Sequence, residues 1–222
     1  MTVRPGQDWG SAAEGAPDLV VAGGDAELAA ALAGGPDDPL VRFSPSPASD
    51  LARAVGLASS GPASAEGAAV AVPMDVLCLD GGGVAVNAVV VGTAPDRLRW
   101  WHRRRAVSVE IDGRTAFTGR ASTVAVLNGQ YLRGADVSPR GHPGDGVVEV
   151  QVYALAPAQR SGLGRRLGTG SHLPHPEITV RRGRKVAIRL PRPASLEVDG
   201  CPAGRAASVD VEVRPGAYRL LV

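Results

Sequence analysis

Five stretches carry the side chains that could do chemistry. The first is Gly23-Gly24-Asp25, which follows the apolar run Asp18-Leu19-Val20-Val21-Ala22 and leads into the helical pattern Ala26–Ala33. A strand, two glycines and a helix start can cradle a phosphate, because small residues let backbone N–H groups approach an anion at the positive end of the helix. The second is Ser49-Asp50, at the head of a second helical pattern, Asp50–Leu57; either residue suits an N-cap. The third spans Ser122–Val152, where the apolar runs Thr123–Leu127 and Val147–Val152 flank a loop rich in Gly, Pro and Asp. Asn128-Gly129 and Asp145-Gly146 predict tight turns at its two ends, since both pairs tolerate φ > 0. Such a loop converges oxygen atoms at its tip, where a ligand or metal could sit. The fourth is Asp199-Gly200-Cys201, a hairpin signal beside a thiol. The fifth, Arg103-Arg104-Arg105 after Trp100-Trp101-His102, reads either as a surface for an anionic partner or as a solvated element end.

Other chemistries lack their residues. His102, His142, His172 and His175 have neither zinc spacing nor cysteine pairs beside them. There is no G-x-S-x-G nucleophile elbow and no Walker A lysine.

The elements that must position these groups fall into two kinds. Residues 1–17 read as a loose tail. Over 18–60, strand and helix patterns alternate, with strands at Asp18–Ala22 and Pro39–Phe43. Residues 61–69 continue a small, polar segment that reads as a linker. From 70 to 222 the pattern is of many short strands: Val70–Val72, Met74–Leu79, Val84–Val91, Ala106–Ile111, Thr115–Thr118, Ser122–Leu127, Val147–Tyr153, Ile178–Val180, Lys185–Leu190, Ser195–Val198, Val209–Val213 and Tyr218–Val222. Only Pro157–Leu167 looks helical there, and Asp112-Gly113 joins Asp199-Gly200 as a hairpin signal. The expected fold class is therefore α/β plus all-β: a small, incomplete α/β unit followed by a larger antiparallel β-sandwich.

The 222 residues suffice for real cores. With 24 basic against 22 acidic residues, the charge does not argue for nucleic acid. Every Lys/Arg position except Lys185 is Arg. Cys78 and Cys201 stand alone, which suggests a reducing compartment. No apolar run has membrane-spanning length and the N-terminus lacks the apolar core of a signal peptide, so the expected location is the cytoplasm.

The pattern N-G-x-Y-x-x-G from Asn128, then D-G-x-x-E-V from Asp145, resembles the C-terminal half of the bacterial diacylglycerol kinase family, the YegS-like relatives of sphingosine kinases. Gly23–Glu27 (GGDAE) and Ser44–Leu57 (SPSPASDLARAVGL) fall in the order and spacing of that family's GGDGT and P-x-GT-x-ND-x-A-R-x-L-G-L motifs. Gly170-Ser171-His172, Leu196–Gly200 and Pro215–Val222 also follow family order. The resemblance covers 18–57 and 70–222 and implies an α/β nucleotide unit, a β-sandwich and a cleft between them. It implies ATP-dependent phosphorylation of a lipid hydroxyl, diacylglycerol being one such lipid, with Mg²⁺ as the metal. By the same resemblance Gly23, Gly24, Asp25, Asp50 and Asn128 would bind the nucleotide. His142, Asp145 and the carbonyl of Val147 would stand at the metal site, and Asp199 and Cys201 at the catalytic positions.

The departures concentrate on those positions. Glu27 replaces a Thr and puts a carboxylate where phosphates should lie; a like-charge pair at about 4 Å and an effective dielectric near 20 costs about 4 kcal/mol. Pro47 replaces a Thr and offers neither N–H nor hydroxyl. His142 replaces a carboxylate, although Mg²⁺ prefers hard oxygen ligands. Cys201 replaces a Glu and has no carboxylate to act as base. Asp50 can equally be a helix cap, and Asp145-Gly146 equally a turn. The first βα unit of the family's sheet is also not patterned before Asp18. The expectation is a diverged lipid kinase with weak or lost activity. The alternative is a non-catalytic lipid- or protein-binding module, with peripheral membrane contact at most and a homodimer compatible with the exposed strand edges. A small-molecule phosphotransferase of the ATP–NAD kinase relatives is a third reading, supported only by the Gly-Gly-Asp signal.

Overall fold

The computed structural model describes residues 11–12, 15–57 and 70–222. Most of the tail predicted over 1–17 and all of the linker predicted over 61–69 lie outside the described residues.

The chain opens with β1 (Ser11–Ala12), β2 (Leu19–Gly23), α1 (Asp25–Ala33), β3 (Leu40–Pro45) and α2 (Asp50–Val55). Strands β4 (Val70–Leu79), β5 (Val84–Ala85) and β6 (Ala88–Gly92) follow, then a 3₁₀ turn at Pro95–Arg97. Next come β7 (Arg105–Ile111), β8 (Arg114–Ala121), β9 (Thr123–Leu127), β10 (Tyr131–Leu132), β11 (Ala135–Asp136) and β12 (Val148–Tyr153). A second 3₁₀ turn (Pro157–Arg160) and α3 (Leu163–Leu167) precede β13 (Ile178–Gly183), β14 (Lys185–Val198) and β15 (Cys201–Leu221).

One sheet runs β1-β4-β15-β14-β6-β9-β12-β13, with β5 on β4 and the β7–β8 hairpin on β14. Two of its neighbouring strands, β6 and β9, are apolar almost throughout because both faces are covered. On β6, Val89 and Val91 enter the sandwich core, while Ala88 and Val90 face a second core under α3. On β9, Val124 and Val126 point one way and Ala125 and Leu127 the other. Strands buried on both faces read as continuous hydrophobic runs rather than alternating ones.

β14 serves both layers of the sandwich. Its first half, Val186–Arg189, pairs with β7, and its end, Leu196–Val198, pairs with β6. Its register with β15 breaks between Arg189 and Ala194, around Pro191 and Pro193, which have no N–H to give a ladder.

The α/β unit is joined to the same sheet. β2 pairs in parallel with β3, and β3 pairs in parallel with the end of β15 through Leu40 and Val41 opposite Arg219 and Leu220. A third core lies between α1, α2 and these strands, built on Leu28, Leu51, Val41, Met74, Tyr218 and Leu220.

Several sequence expectations change. Asn128-Gly129 is no left-handed turn: neither residue has positive φ, and the real turn follows at Arg133-Gly134, with φ of 50° and 75°. Gly129 is needed for space instead, since a Cβ there would lie 2.4 Å from Asn87 Oδ1. The helix predicted over Pro157–Leu167 is broken at Gly162, which has φ 75°. The separate strands predicted over Val70–Leu79 and Val209–Val222 merge into β4 and β15.

Candidate functional site

Of the groups singled out in the sequence, Gly23–Asp25, Asp50, Asn128 and Asp199 gather where α1, α2 and the loop after β9 meet β4, β14 and β15. At Gly23 the chain takes φ 134°, and at Gly24 it enters α1. The Gly24 N–H points out of the helix start, as a phosphate-binding amide would. It donates instead to Glu27 Oε2 at 2.8 Å. Glu27 thus folds back as the distal half of a capping box, and its carboxylate occupies the space an anion would need. A phosphate on this amide would have to displace a charge of its own sign.

Asp25, the next residue, is turned toward α2. Its carboxylate accepts from Ser49 Oγ at 2.5 Å and from the N–H groups of Asp50 and Leu51, each at 3.2 Å. It thereby caps a helix other than its own, while Ser49 Oγ caps α2 directly by accepting from Ala52 N–H. Burial pushes the Asp25 carboxyl up, and the Asp50 charge adds to the rise; the Ser49 and backbone hydrogen bonds oppose it. Asp50 in turn reaches the β10–β11 turn and accepts from Gly134 N–H at 2.7 Å and from Arg133 N–H. The Arg133 guanidinium then bridges Asp96 and Glu197.

Asn128 donates through Nδ2 to the carbonyls of Val86 (2.8 Å) and Asp75 (3.2 Å). Asp199, at the β14–β15 turn with φ 47°, accepts from the N–H groups of Val86 (2.8 Å), Asn87 (2.9 Å) and Ala88 (2.9 Å). Burial raises its carboxyl to about 6 despite those three donors. Cys201 is exposed. Together with Asp199 it borders a cleft of about 270 Å³ whose other walls include Ala26, Ala30, Val84 and Val198. In this cleft α1 and the Asp199 turn face a common space, and its walls are mostly apolar.

The loop residues read as a metal site lie further along. Asp145 pairs with Arg182 and accepts from Val147 N–H at 3.2 Å. His142 Nδ1 accepts from Gly144 N–H at 3.2 Å. Among the described residues no three His, Cys, Asp or Glu side chains are grouped so as to hold a metal ion. A divalent cation at Asp145 would compete with a guanidinium for the same carboxylate, so this donor set does not fit Mg²⁺.

Sequence reasoning passed over Asp75, Asn87 and Tyr218. Asp75 accepts from Gly146 N–H (2.6 Å) and Gly216 N–H (2.9 Å), and so ties the central loop to a bulge in β15. Burial raises its carboxyl. Asn87 donates to the Tyr131 carbonyl at 3.0 Å. The hydroxyl of Tyr218 is wholly buried, and the charges of Asp199, Asp25 and Asp75 add to burial in raising it. Tyr218 Oη, Asn87 Oδ1 and Asn128 Oδ1 have no hydrogen-bond partner among the described residues. The signal for Asp75 and Asn87 was present: each is a lone polar residue inside an apolar run.

Residues 89–222 match the family model of the YegS C-terminal NAD kinase β-sandwich-like domain. No functionally curated protein matches the chain in sequence. Among solved structures, a diacylglycerol kinase from Bacillus anthracis str. Sterne superposes with a TM-score of 0.74 at 19% identity, covering 92% of this chain and 76% of that one. Yeast NADH kinase, solved with NADH, gives 0.52 at 15% identity, over 92% of this chain and 61% of that one. An NAD kinase from Archaeoglobus fulgidus, solved with ATP, gives 0.51 at 14% identity, over 92% and 78%. These likenesses establish a shared fold. The family match spans more than half of the chain, and the chain therefore belongs to the YegS-like lipid kinase family, whose C-terminal β-sandwich it carries.

Proposed function

We propose that this protein is a diverged diacylglycerol/lipid kinase family member in which ATP-dependent phosphorylation of a lipid hydroxyl is weak or lost. The observation that carries the reading is the Glu27 carboxylate seated on the Gly24 N–H. Phosphoryl transfer depends on donors and cations arranged around the transferred group. Here the first such donor is satisfied internally, by a group that repels phosphate.

The neighbouring carboxylates support the same reading. Asp25, Asp50 and Asp199 each accept two or more hydrogen bonds from the protein itself, and Asp145 is paired with Arg182. These groups brace the junction between helices and sandwich. Cys201, at the position of the family's acidic residue, supplies no carboxylate base. The apolar cleft between α1 and the Asp199 turn favours the second reading, a non-catalytic module that holds a lipid or a protein segment.

Calorimetric titration with ATP, with and without Mg²⁺, tests the proposal. The expected result is no binding tighter than about 1 mM, a free energy near −4 kcal/mol. Micromolar binding that strengthens with Mg²⁺, followed by phosphorylation of diacylglycerol, would overturn it.

A further inference from the structure

Two tryptophans stand out on the surface: Trp100 is 70% exposed and Trp101 59%. They occupy the corner of a turn closed twice, by His102 N–H donating to the Arg99 carbonyl (3.2 Å) and by Arg99 N–H donating to His102 Nδ1 (2.9 Å). The turn is anchored from beneath by the buried Arg160. Its guanidinium donates to the carbonyls of Arg99 (3.0 Å) and His102 and to Ser122 Oγ (2.8 Å). A buried cation thus holds two large apolar side chains out in solvent. Exposed apolar patches of this kind mark interaction sites.

The surroundings are cationic. From Arg97 to Arg105 there are five arginines and no acidic residue. Arg103, Arg104, Arg105, Arg120 and Arg192 line one groove of about 400 Å³ beside the turn. Two acids beside the stretch, Asp96 and Glu197, are bridged by Arg133, and Arg97 also reaches Glu197 at 3.9 Å.

We infer that this face docks on an anionic lipid bilayer, with Trp100 and Trp101 entering the headgroup layer and the arginines pairing with lipid phosphates. Tryptophan partitions to the membrane–water interface, and clusters of basic residues bind anionic leaflets. The geometry favours a bilayer over single-stranded nucleic acid. The two indoles meet edge to face, with 5.5 Å between centroids and 87° between planes, so they do not present parallel faces on which successive bases could stack. The inference goes beyond the nucleotide reading and stands apart from it, because docking requires no ATP.

The test is binding of the full chain to vesicles at about 0.1 M salt, where charges beyond about 10 Å are screened. Equimolar phosphatidylglycerol and phosphatidylcholine is compared with phosphatidylcholine alone. Binding to the anionic vesicles only is expected, with quenching of tryptophan emission by brominated lipid. Arg103→Gln with Arg105→Gln weakens binding about 30-fold, from about 1 kcal/mol per arginine. Trp100→Ala with Trp101→Ala weakens it about tenfold or more and removes the quenching. Far-ultraviolet circular dichroism of both variants should match wild type, and quenching of the unmodified protein reads insertion without any variant. Four results would overturn the inference: no binding to anionic vesicles; binding that neither double variant weakens; tighter binding to a single-stranded oligonucleotide; or self-association that the Trp variant abolishes, which would make the face a contact between two copies.

Discussion

At Gly24 the amide donates to Glu27 three residues on, so this carboxylate both caps α1 and repels an anion. Glu27→Gln separates the two roles, because Gln also completes a capping box. The variant is expected to unfold within about 1 kcal/mol of wild type, while calorimetry detects ATP binding stronger than wild type shows. Equal heats for the two proteins would sink the idea that the charge closes the site. Asp199 makes a pH prediction. Its folded carboxyl titrates near 6 because of burial, against about 3.9 when unfolded. Between those values the folded state binds more protons than the unfolded one, so this group's contribution to stability falls as pH rises from about 4 to about 6. Asp25 and Asp75 are raised by the same cause and add slopes of the same sign. Asp199→Asn keeps a residue that tolerates positive φ but leaves one of three N–H donors facing an amide N–H₂. It should lose about 1–3 kcal/mol at pH 7, and thermal unfolding from pH 4 to 7 should show a shallower pH dependence than wild type. An unchanged slope would mean that Asp199 is not the titrating group. The identity of these residues was legible in the sequence and their employment was not. Asp25 sits where a phosphate-loop acid would, yet its oxygens meet α2, 24 to 26 residues away.

Among the elements, the strands were the most legible, since β-branched runs between Gly and Asp-Gly turns leave few alternatives. Asp112-Gly113 and Asp199-Gly200 both turn with positive φ at each residue. Asn128-Gly129 has the same turn chemistry in sequence but forms a bend without positive φ, and the Asn128 side chain is drawn into the carbonyls of Val86 and Asp75. Local propensity is overridden there by contacts 42 and 53 residues away. Asp75 is the clearest case of one side chain holding two elements, the central loop at Gly146 and the β15 bulge at Gly216. Asp75→Ala leaves both amides without their acceptor and is expected to cost about 2–5 kcal/mol. Hydrogen exchange should report faster opening at Gly146 and Gly216 than at the centre of β9, and uniform exchange would argue against the tie. Gly92 has φ 93°, and a Cβ on it would lie 2.3 Å from the Ser122 carbonyl oxygen. Gly92→Ala should therefore cost more than about 2 kcal/mol, read as a lower midpoint in urea.

Across the whole molecule, the last strand unites the halves. The end of β15 lies antiparallel to β4 and parallel to β3, so Leu220 packs in the same core as Leu28 of α1 and Leu51 of α2. Leu220→Ala should cost about 2–5 kcal/mol. Fluorescence and circular dichroism should still trace one unfolding transition, displaced to lower urea; two separated transitions would show that the α/β unit unfolds by itself. No helix among the described residues is long and apolar enough to cross a membrane. The sequence alone determined the two kinds of patterning, the strand-rich C-terminal portion and the family, because period, turn residues and motif order are local properties of the chain. It also exposed the substitutions at Glu27, Pro47, His142 and Cys201. Only the tertiary structure decided that Glu27 folds onto Gly24, that Asp145 pairs with Arg182, and that Asp25, Asp75 and Asp199 brace backbone amides. Those outcomes depend on partners distant in the chain, and a carboxylate's hydrogen-bond demand can be met by any donor that packing brings within reach.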